Sequence, residues 1–164
     1  ADGWLPIWTD LEKLPDLIEQ ISDSATSIGR NICDITIAPQ IVCCVTNSTE
    51  ELYKAQNDVR EHMSYYIGGM GEYYHDLFCR FGYRPEANAI KNAWMSGNRK
   101  IAASLVTNQM LDNITVIGDP ETCRSKIERF RQMGADVPVI AFHHRATPDS
   151  IMNTIRALSP KTTK

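Results

Sequence analysis

The stretch Ile114-Thr115-Val116-Ile117-Gly118-Asp119-Pro120-Glu121-Thr122-Cys123-Arg124-Ser125-Lys126-Ile127-Glu128-Arg129-Phe130-Arg131-Gln132-Met133-Gly134-Ala135-Asp136-Val137-Pro138-Val139-Ile140-Ala141-Phe142 decides the fold. It holds a start signal, a helix, a stop signal and an apolar run, in that order. Asp119 is placed to cap the helix, because its carboxylate accepts from the free N–H groups of the first turn. Pro120 suits the first helical position, where a missing N–H costs nothing. Glu121 adds negative charge near the positive end of the helix dipole. Ile127 and Phe130 lie three apart and share a face, with Met133 near it. Gly134 can take the left-handed conformation that closes a helix. Val137 to Phe142 is then continuously apolar, the pattern of a strand covered on both faces. A helix feeding such a strand is one step of an α/β fold. Folds of this class place their chemistry at the C-terminal ends of the strands, and here that end is Phe142-His143-His144-Arg145.

Working outward, the opening Asp2 to Trp8 reads as a short strand, and Leu11, Leu14, Leu17, Ile18, Ile21, Ala25 and Ile28 recur at helical spacing. Pro15 falls in the first turn of that helix and Gly29 is its natural stop. Ile35 to Thr46 is the longest β-like run, and Pro39 inside it predicts a bulge or two consecutive strand halves. Ser48 and Glu51 match a capping box for a helix through Leu52, Ala55, Val59, Met63 and Tyr66. Ile67-Gly68-Gly69-Met70-Gly71 breaks the pattern. An aromatic-rich helix follows from Tyr73 to near Gly82. Helices over Pro85 to Trp94 and Ile101 to Leu111 are split by Ser96-Gly97-Asn98. Thr147-Pro148 starts a last helix through Ile151, Ile155 and Leu158. The expected order is β-α-β-α-α-α-α-α-β-α, with three parallel strands joined by right-handed crossovers. One domain is expected over residues 1–160, and the Lys-bearing tail 161–164 is expected to be disordered.

Composition narrows the function classes. The 164 residues carry a net charge of −3, which offers no broad basic surface for nucleic acid. No apolar run approaches the roughly 20 residues of a membrane span, and the opening Ala-Asp-Gly-Trp is not a signal peptide. The chain begins without an initiator methionine and already inside a strand, as a processed product or a piece of something longer does. Cys33, Cys43, Cys44, Cys79 and Cys123 are odd in number and lack Cys-x-x-Cys spacing. Free thiols in a reducing cytoplasm are expected, with neither a disulfide framework nor a zinc site. The sequons at Asn47 and Asn113 read as chance matches.

The candidate site residues follow from position. His143, His144 and Arg145 form an expected cationic rim on the active face, able to hold an anionic ligand or move a proton. Trp8 and Trp4 alternate along the first strand about Pro6, and Trp8 is a candidate to face a ligand ring. His62 and His75 are read as surface or core-edge residues, and no metal ligand set is expected. Gly68-Gly69-Met70-Gly71 lacks the spacing and preceding strand of a phosphate cradle. Tyr65-Tyr66 and Tyr73-Tyr74 suit either a cavity lining or the packing of a helical insert. No nucleophile elbow or Ser-His-Asp signature occurs, so no catalytic residue is named.

Ala1-Asp2-Gly3-Trp4-Leu5 resembles a strand of the bacterial luciferase-like family, which includes coenzyme F420-dependent reductases and FMN-dependent monooxygenases. Ile35-Thr36-Ile37-Ala38 with Glu50-Glu51 is similar to that family's next strand and helix. Ile114-Thr115-Val116-Ile117-Gly118-Asp119-Pro120-Glu121 resembles the entry to its last αβ step, and Gly134-Ala135-Asp136 the turn before its final strand. The resemblance implies a helix-rich, partial TIM (β/α)8 barrel, made of strands six to eight with a helical insertion. It implies F420 or FMN in the complete barrel, a small-molecule substrate, and hydride transfer or monooxygenation. Cofactor-binding residues of strands one to five have no counterpart here. Ile7 and Asp10 stand where a sugar-phosphate branch carries Thr and Lys, so that substrate is not implied. The chain is thus expected to be incomplete as a catalyst alone. Its open sheet edges would be closed by a second copy or by a separate N-terminal half-barrel. The alternative is a non-catalytic interaction or assembly module derived from the half-barrel. Trp8, His143, His144 and Arg145 are the residues expected at the pocket.

Overall fold

A computed structural model describes residues 1–160; the tail at 161–164 lies outside the described residues. Its elements are β1 (Gly3–Trp4), α1 (Leu14–Ser27), β2 (Thr36–Ile37), β3 (Gln40–Val45), α2 (Thr49–Gly69), α3 (Glu72–Arg80), α4 (Arg84–Met95), α5 (Arg99–Ser104), α6 (Asn108–Ile114), β4 (Thr115–Gly118), α7 (Pro120–Gln132), β5 (Val139–Ala141) and α8 (Pro148–Leu158). Every strand pairing is parallel. Residues 36–45 form the central column, broken at Ala38-Pro39 where proline has no N–H to give. The amides of Thr36, Ala38 and Gln40 donate to the carbonyls of Asp2, Trp4 and Pro6. On the opposite edge, the carbonyls of Ile37 and Pro39 accept from Asp136, Val137 and Val139. Beyond the break, β3 lies between β4 and β5. The result is a three-column arc of barrel sheet within a helix-rich α/β fold.

Local signals set many of the boundaries. Asp119 Oδ1 accepts from Glu121 N at 2.9 Å and Thr122 N at 3.0 Å, opening α7 with Pro120 in its first turn. Gly134, at φ 105°, closes it. A Cβ there would meet only the flexible end of Ile18, Cδ1 at 2.7 Å, so the positive φ is what calls for glycine. Thr147 caps α8 by accepting from Ser150 N. Ser48 accepts from Glu51 N, but the Glu51 carboxylate reaches back one residue further than a capping box requires, to Asn47 N at 2.7 Å.

The structure corrects four expectations. Thr115–Gly118 is a strand, β4, that pairs with Val42–Val45 and follows α6 with no intervening loop. The expected helix over Ile101 to Leu111 is two helices, because Thr107 takes an extended conformation and caps α6 through Met110 N. α2 runs on through Gly68 and Gly69, which are the seat for Trp94 of α4. The strand covered on both faces is β3, where Ile41 to Val45 are all buried, and not the run 137–142. There β5 is a three-residue edge strand whose residues are only half-buried, and Val137 is exposed.

Two apolar clusters flank the sheet. Ile41, Cys43 and Val45 face Leu11, Leu14, Val116, Cys123 and Phe130 beneath α1 and α7. Val42 faces the other way, toward Trp8, Val59, Met63, Ile67, Phe78, Ile90 and Met110 of the helical insert. A buried polar knot ties the end of the first strand to that insert. Tyr83 O–H donates to Asp10 Oδ2 at 2.6 Å, and Asn113 Nδ2 donates to Tyr83 Oη at 3.0 Å. Burial, with the Asp10 hydrogen bond second, pushes the Tyr83 phenol far above its ordinary range.

Candidate functional site

The chain leaves the first strand at Trp8, a non-glycine residue at φ 55° and 4% exposed. A bulky side chain in the left-handed region costs of order 1–3 kcal/mol, and such strain concentrates at functional sites. The turn swings the indole under α2. Its ring meets His62 and Tyr66 edge-on, each at 5.2 Å between centroids. His62 and Tyr66 also stack edge-on at 5.2 Å, and His144, arriving from the end of β5, meets His62 at 5.0 Å. Four rings from the first strand, α2 and the β5–α8 loop thus converge where the parallel strands end.

Above them lies a cavity of about 640 Å³. Its wall is His62, Tyr65, Tyr66, Trp94 and His144, and Arg99 and Lys100 stand at its edge. Trp8 sits beneath this wall rather than on it. A smaller cleft of about 330 Å³ lies between the starts of α2 and α8, lined by Lys54, Asp58, His143 and Arg145. Arg145 borders both cavities.

The expected cationic rim is largely discharged. Arg145 is paired with Glu61 at 2.6 Å and Asp58 at 3.8 Å, and Lys54 with Asp58 at 2.8 Å. His143 is 5% exposed, and its Nδ1 is buried without a hydrogen-bond partner. Burial pushes its imidazole below the ordinary value, against the pull of Asp58. His62 is driven further, to about 4, first by burial and then by His144 and His143. Its Nδ1 is likewise buried and unpartnered. At neutral pH His62 and His143 are therefore neutral imidazoles, each holding a polar nitrogen without a partner among the described residues.

His62, expected at the surface or core edge, stands in the ring cluster because its partners Trp8 and His144, remote in sequence, arrive on other segments. The local signal was there: His62, Tyr65 and Tyr66 lie within one turn of helix. Glu72, His75 and Asp76 bring one donor atom each within 4.8 Å of one another, and Cys79 Sγ lies 3.8 Å from His75 Nε2. His75 and Cys79, four apart on α3, share one face of that helix. Lys91 pairs with Glu72, and Asn88 Oδ1 is 2.9 Å from His75 Nε2, so these groups already have protein partners.

Residues 1–137 match the model of the luciferase-like monooxygenase family. The chain belongs to that family. A Mycobacterium tuberculosis protein named as a coenzyme F420-dependent oxidoreductase is 22% identical over 148 residues, which are 85% of this chain and 41% of that relative. The F420-dependent tetrahydromethanopterin reductase of Methanopyrus kandleri superposes with a TM-score of 0.69 at 20% identity, over 96% of this chain and 43% of that one. The oxygenating constituent of 3,6-diketocamphane monooxygenase from Pseudomonas putida, solved with FMN, gives a TM-score of 0.51 at 17% identity, over 94% and 40%. This luciferase-like chain thus spans about two-fifths of the length of these relatives.

Proposed function

We propose that this luciferase-like chain supplies the C-terminal part of an F420- or FMN-dependent oxidoreductase barrel. Its reaction is hydride transfer or monooxygenation on a small organic substrate. The observation that carries this is the convergence of Trp8, His62, Tyr66 and His144 at the strand ends of a chain of this family. Aromatic faces around an open cavity suit one side of a flat heteroaromatic ring. Among the described residues there is no glycine cradle for the cofactor's phosphate, since Trp94 fills the Gly68–Gly69 seat. His62, Tyr66 and His144 would face the ring, and the phosphate contacts would come from outside this chain. When bound, the flavin or deazaflavin supplies the two-electron chemistry. The residues here orient the ligand, exclude water and offer neutral imidazole nitrogens as hydrogen-bond partners; Trp8 supports His62 and Tyr66 from below. His143 and Arg145 fix the loop that delivers His144.

These residues would form only part of the cofactor site, the rest coming from further barrel strands, an N-terminal half-barrel chain or a second copy. Cytoplasmic residence agrees with the chain's five free thiols. Titration with F420 and with FMN, read by absorbance shift, tests the assignment on the chain alone and on the chain mixed with a family N-terminal half-barrel. Saturable binding that the added half strengthens, and that His62→Ala weakens, is the expected result. No binding in either arm would instead favour the non-catalytic assembly module.

A further inference from the structure

The 640 Å³ cavity has an uneven charge. Glu61 and Arg145 line it and neutralise each other at 2.6 Å. Arg99 and Lys100 border it too, and among the described residues neither makes an ion pair with a carboxylate. Arg99 instead lies over the Trp94 ring, 4.9 Å from guanidinium carbon to centroid. His62 contributes a neutral ring, so the local balance is two positive charges beside a wall of Tyr65, Tyr66 and Trp94. The Arg99 guanidinium makes no hydrogen bond to a described side chain, so its N–H donors remain open to a bidentate anion. A lysine beside it adds a mobile second donor.

We infer that this cavity takes a flat, apolar organic anion, its body against Tyr65, Tyr66 and Trp94 and its carboxylate or phosphate on Arg99 and Lys100. The volume suits a ligand of ordinary metabolite or drug size. The anion is then the substrate class of the proposed oxidoreductase. It rests on that assignment for what the anion is for, not for whether it binds. Both cations are solvent-exposed, so the attraction is screened by salt. The apolar wall supplies the rest of the affinity.

The probes are 2-naphthoate, 2-naphthyl phosphate and the neutral 2-naphthamide, added to the 164-residue chain. Binding is followed by tryptophan fluorescence and by NMR shifts at Tyr65, Tyr66 and Trp94. The anions should bind about tenfold tighter than the amide in low salt, with shifts on those three residues. The double variant Arg99→Ala/Lys100→Ala should abolish the preference while leaving amide binding in place. Lys13→Ala/Arg80→Ala, at a different cavity, should leave it intact. The comparison of the two acids identifies which anionic group is preferred. Equal binding of amide and anions, or a preference that survives the double variant, overturns the inference, as does the absence of shifts at Trp94. Cofactor titration separates the two claims. Anion preference without cofactor binding sinks the oxidoreductase assignment alone, and cofactor binding without anion preference sinks this one alone.

Discussion

Gly68→Ala is a sharp test of how the cavity wall is held. In an isolated helix this change should help, because alanine is favoured over glycine by about 1 kcal/mol in a helix interior. Here a Cβ on residue 68 would meet Trp94 Cβ at 2.5 Å and Trp94 Cγ at 2.6 Å. Carbon atoms pack at about 3.5 Å or more, so α2 and α4 must part by about 1 Å at their closest approach. Forcing an extra methyl into a packed interface costs about 1–3 kcal/mol, with the propensity gain set against it. A net loss of about 1 kcal/mol, the middle of the resulting range of about 0–2, is expected, which at a urea m-value of about 2 kcal/mol/M lowers the midpoint by about 0.5 M. Two backgrounds expose the cause. Trp94→Ala keeps the offending Cβ, so Gly68→Ala should still destabilise it. Trp94→Gly removes both atoms, and there the same change should raise the midpoint. Urea unfolding of the six proteins, at constant m, gives the comparison. A higher midpoint for Gly68→Ala in the parent chain, or the same sign on the Trp94→Gly background, would refute the account. The change also moves the Trp94 wall, so it should weaken 2-naphthoate binding without touching Arg99 or Lys100.

Three other outcomes are expected. Tyr83→Phe leaves Asp10 Oδ2 with only Asn113 Nδ2 at 3.4 Å, and should cost about 1–3 kcal/mol in chemical unfolding. His62 has a folded pKa of about 4 against an ordinary 6.5, so its neutral form is the one folding favours. Its contribution is complete above pH 6.5 and lost as the pH falls toward 4; His62→Phe should flatten the stability slope across that window. Of the five cysteines, only Cys33 is exposed, and burial raises the thiols of Cys43, Cys44 and Cys123. A thiol reagent at pH 8 should therefore modify one site rapidly, and loss of that fast phase in Cys33→Ser is the check.

What the sequence disclosed was what short-range chemistry decides. Asp119, Ser48 and Thr147 cap where their spacing says they should, and Gly29, Gly134 and Pro39 interrupt where their backbones require it. Failures began where a distant group overruled the local signal. Gly68-Gly69 looks like a helix breaker until Trp94 arrives to pack on it. Leu105-Val106 carries the helical period of its neighbours, yet Val106 is buried and Thr107 restarts the chain as a new cap. The β-branched run Thr115-Val116-Ile117 is too short to declare itself locally, and its partner strand fixes it as β4. For the site, strand-end position located His143 to Arg145, but not the pairing of Arg145, which depends on Asp58 and Glu61 of α2.

That dependence explains why α2 is the spine of both cavities. One stripe of the helix, Val59, Met63 and Ile67, is buried in the insert's core. The adjacent stripe is Asp58, Glu61, His62, Tyr65 and Tyr66, at the i, i+3, i+4, i+7, i+8 spacing that normally marks a core-facing surface. Polar and aromatic residues at that spacing belong to neither a solvated face nor a core. Each finds a partner from outside the helix: Arg145 for Asp58 and Glu61, His144 and Trp8 for His62, Trp8 and Tyr74 for Tyr66, and Trp94 for Tyr65. The partners come from the first strand, from α3 and α4, and from the loop after β5, so one helix holds the sheet end and the insert in register. A single polar side chain in that stripe would be read as surface. Five in sequence, answered by groups from four other segments, form the wall of a site whose strongest uncompensated charge is the Arg99–Lys100 pair at its far edge.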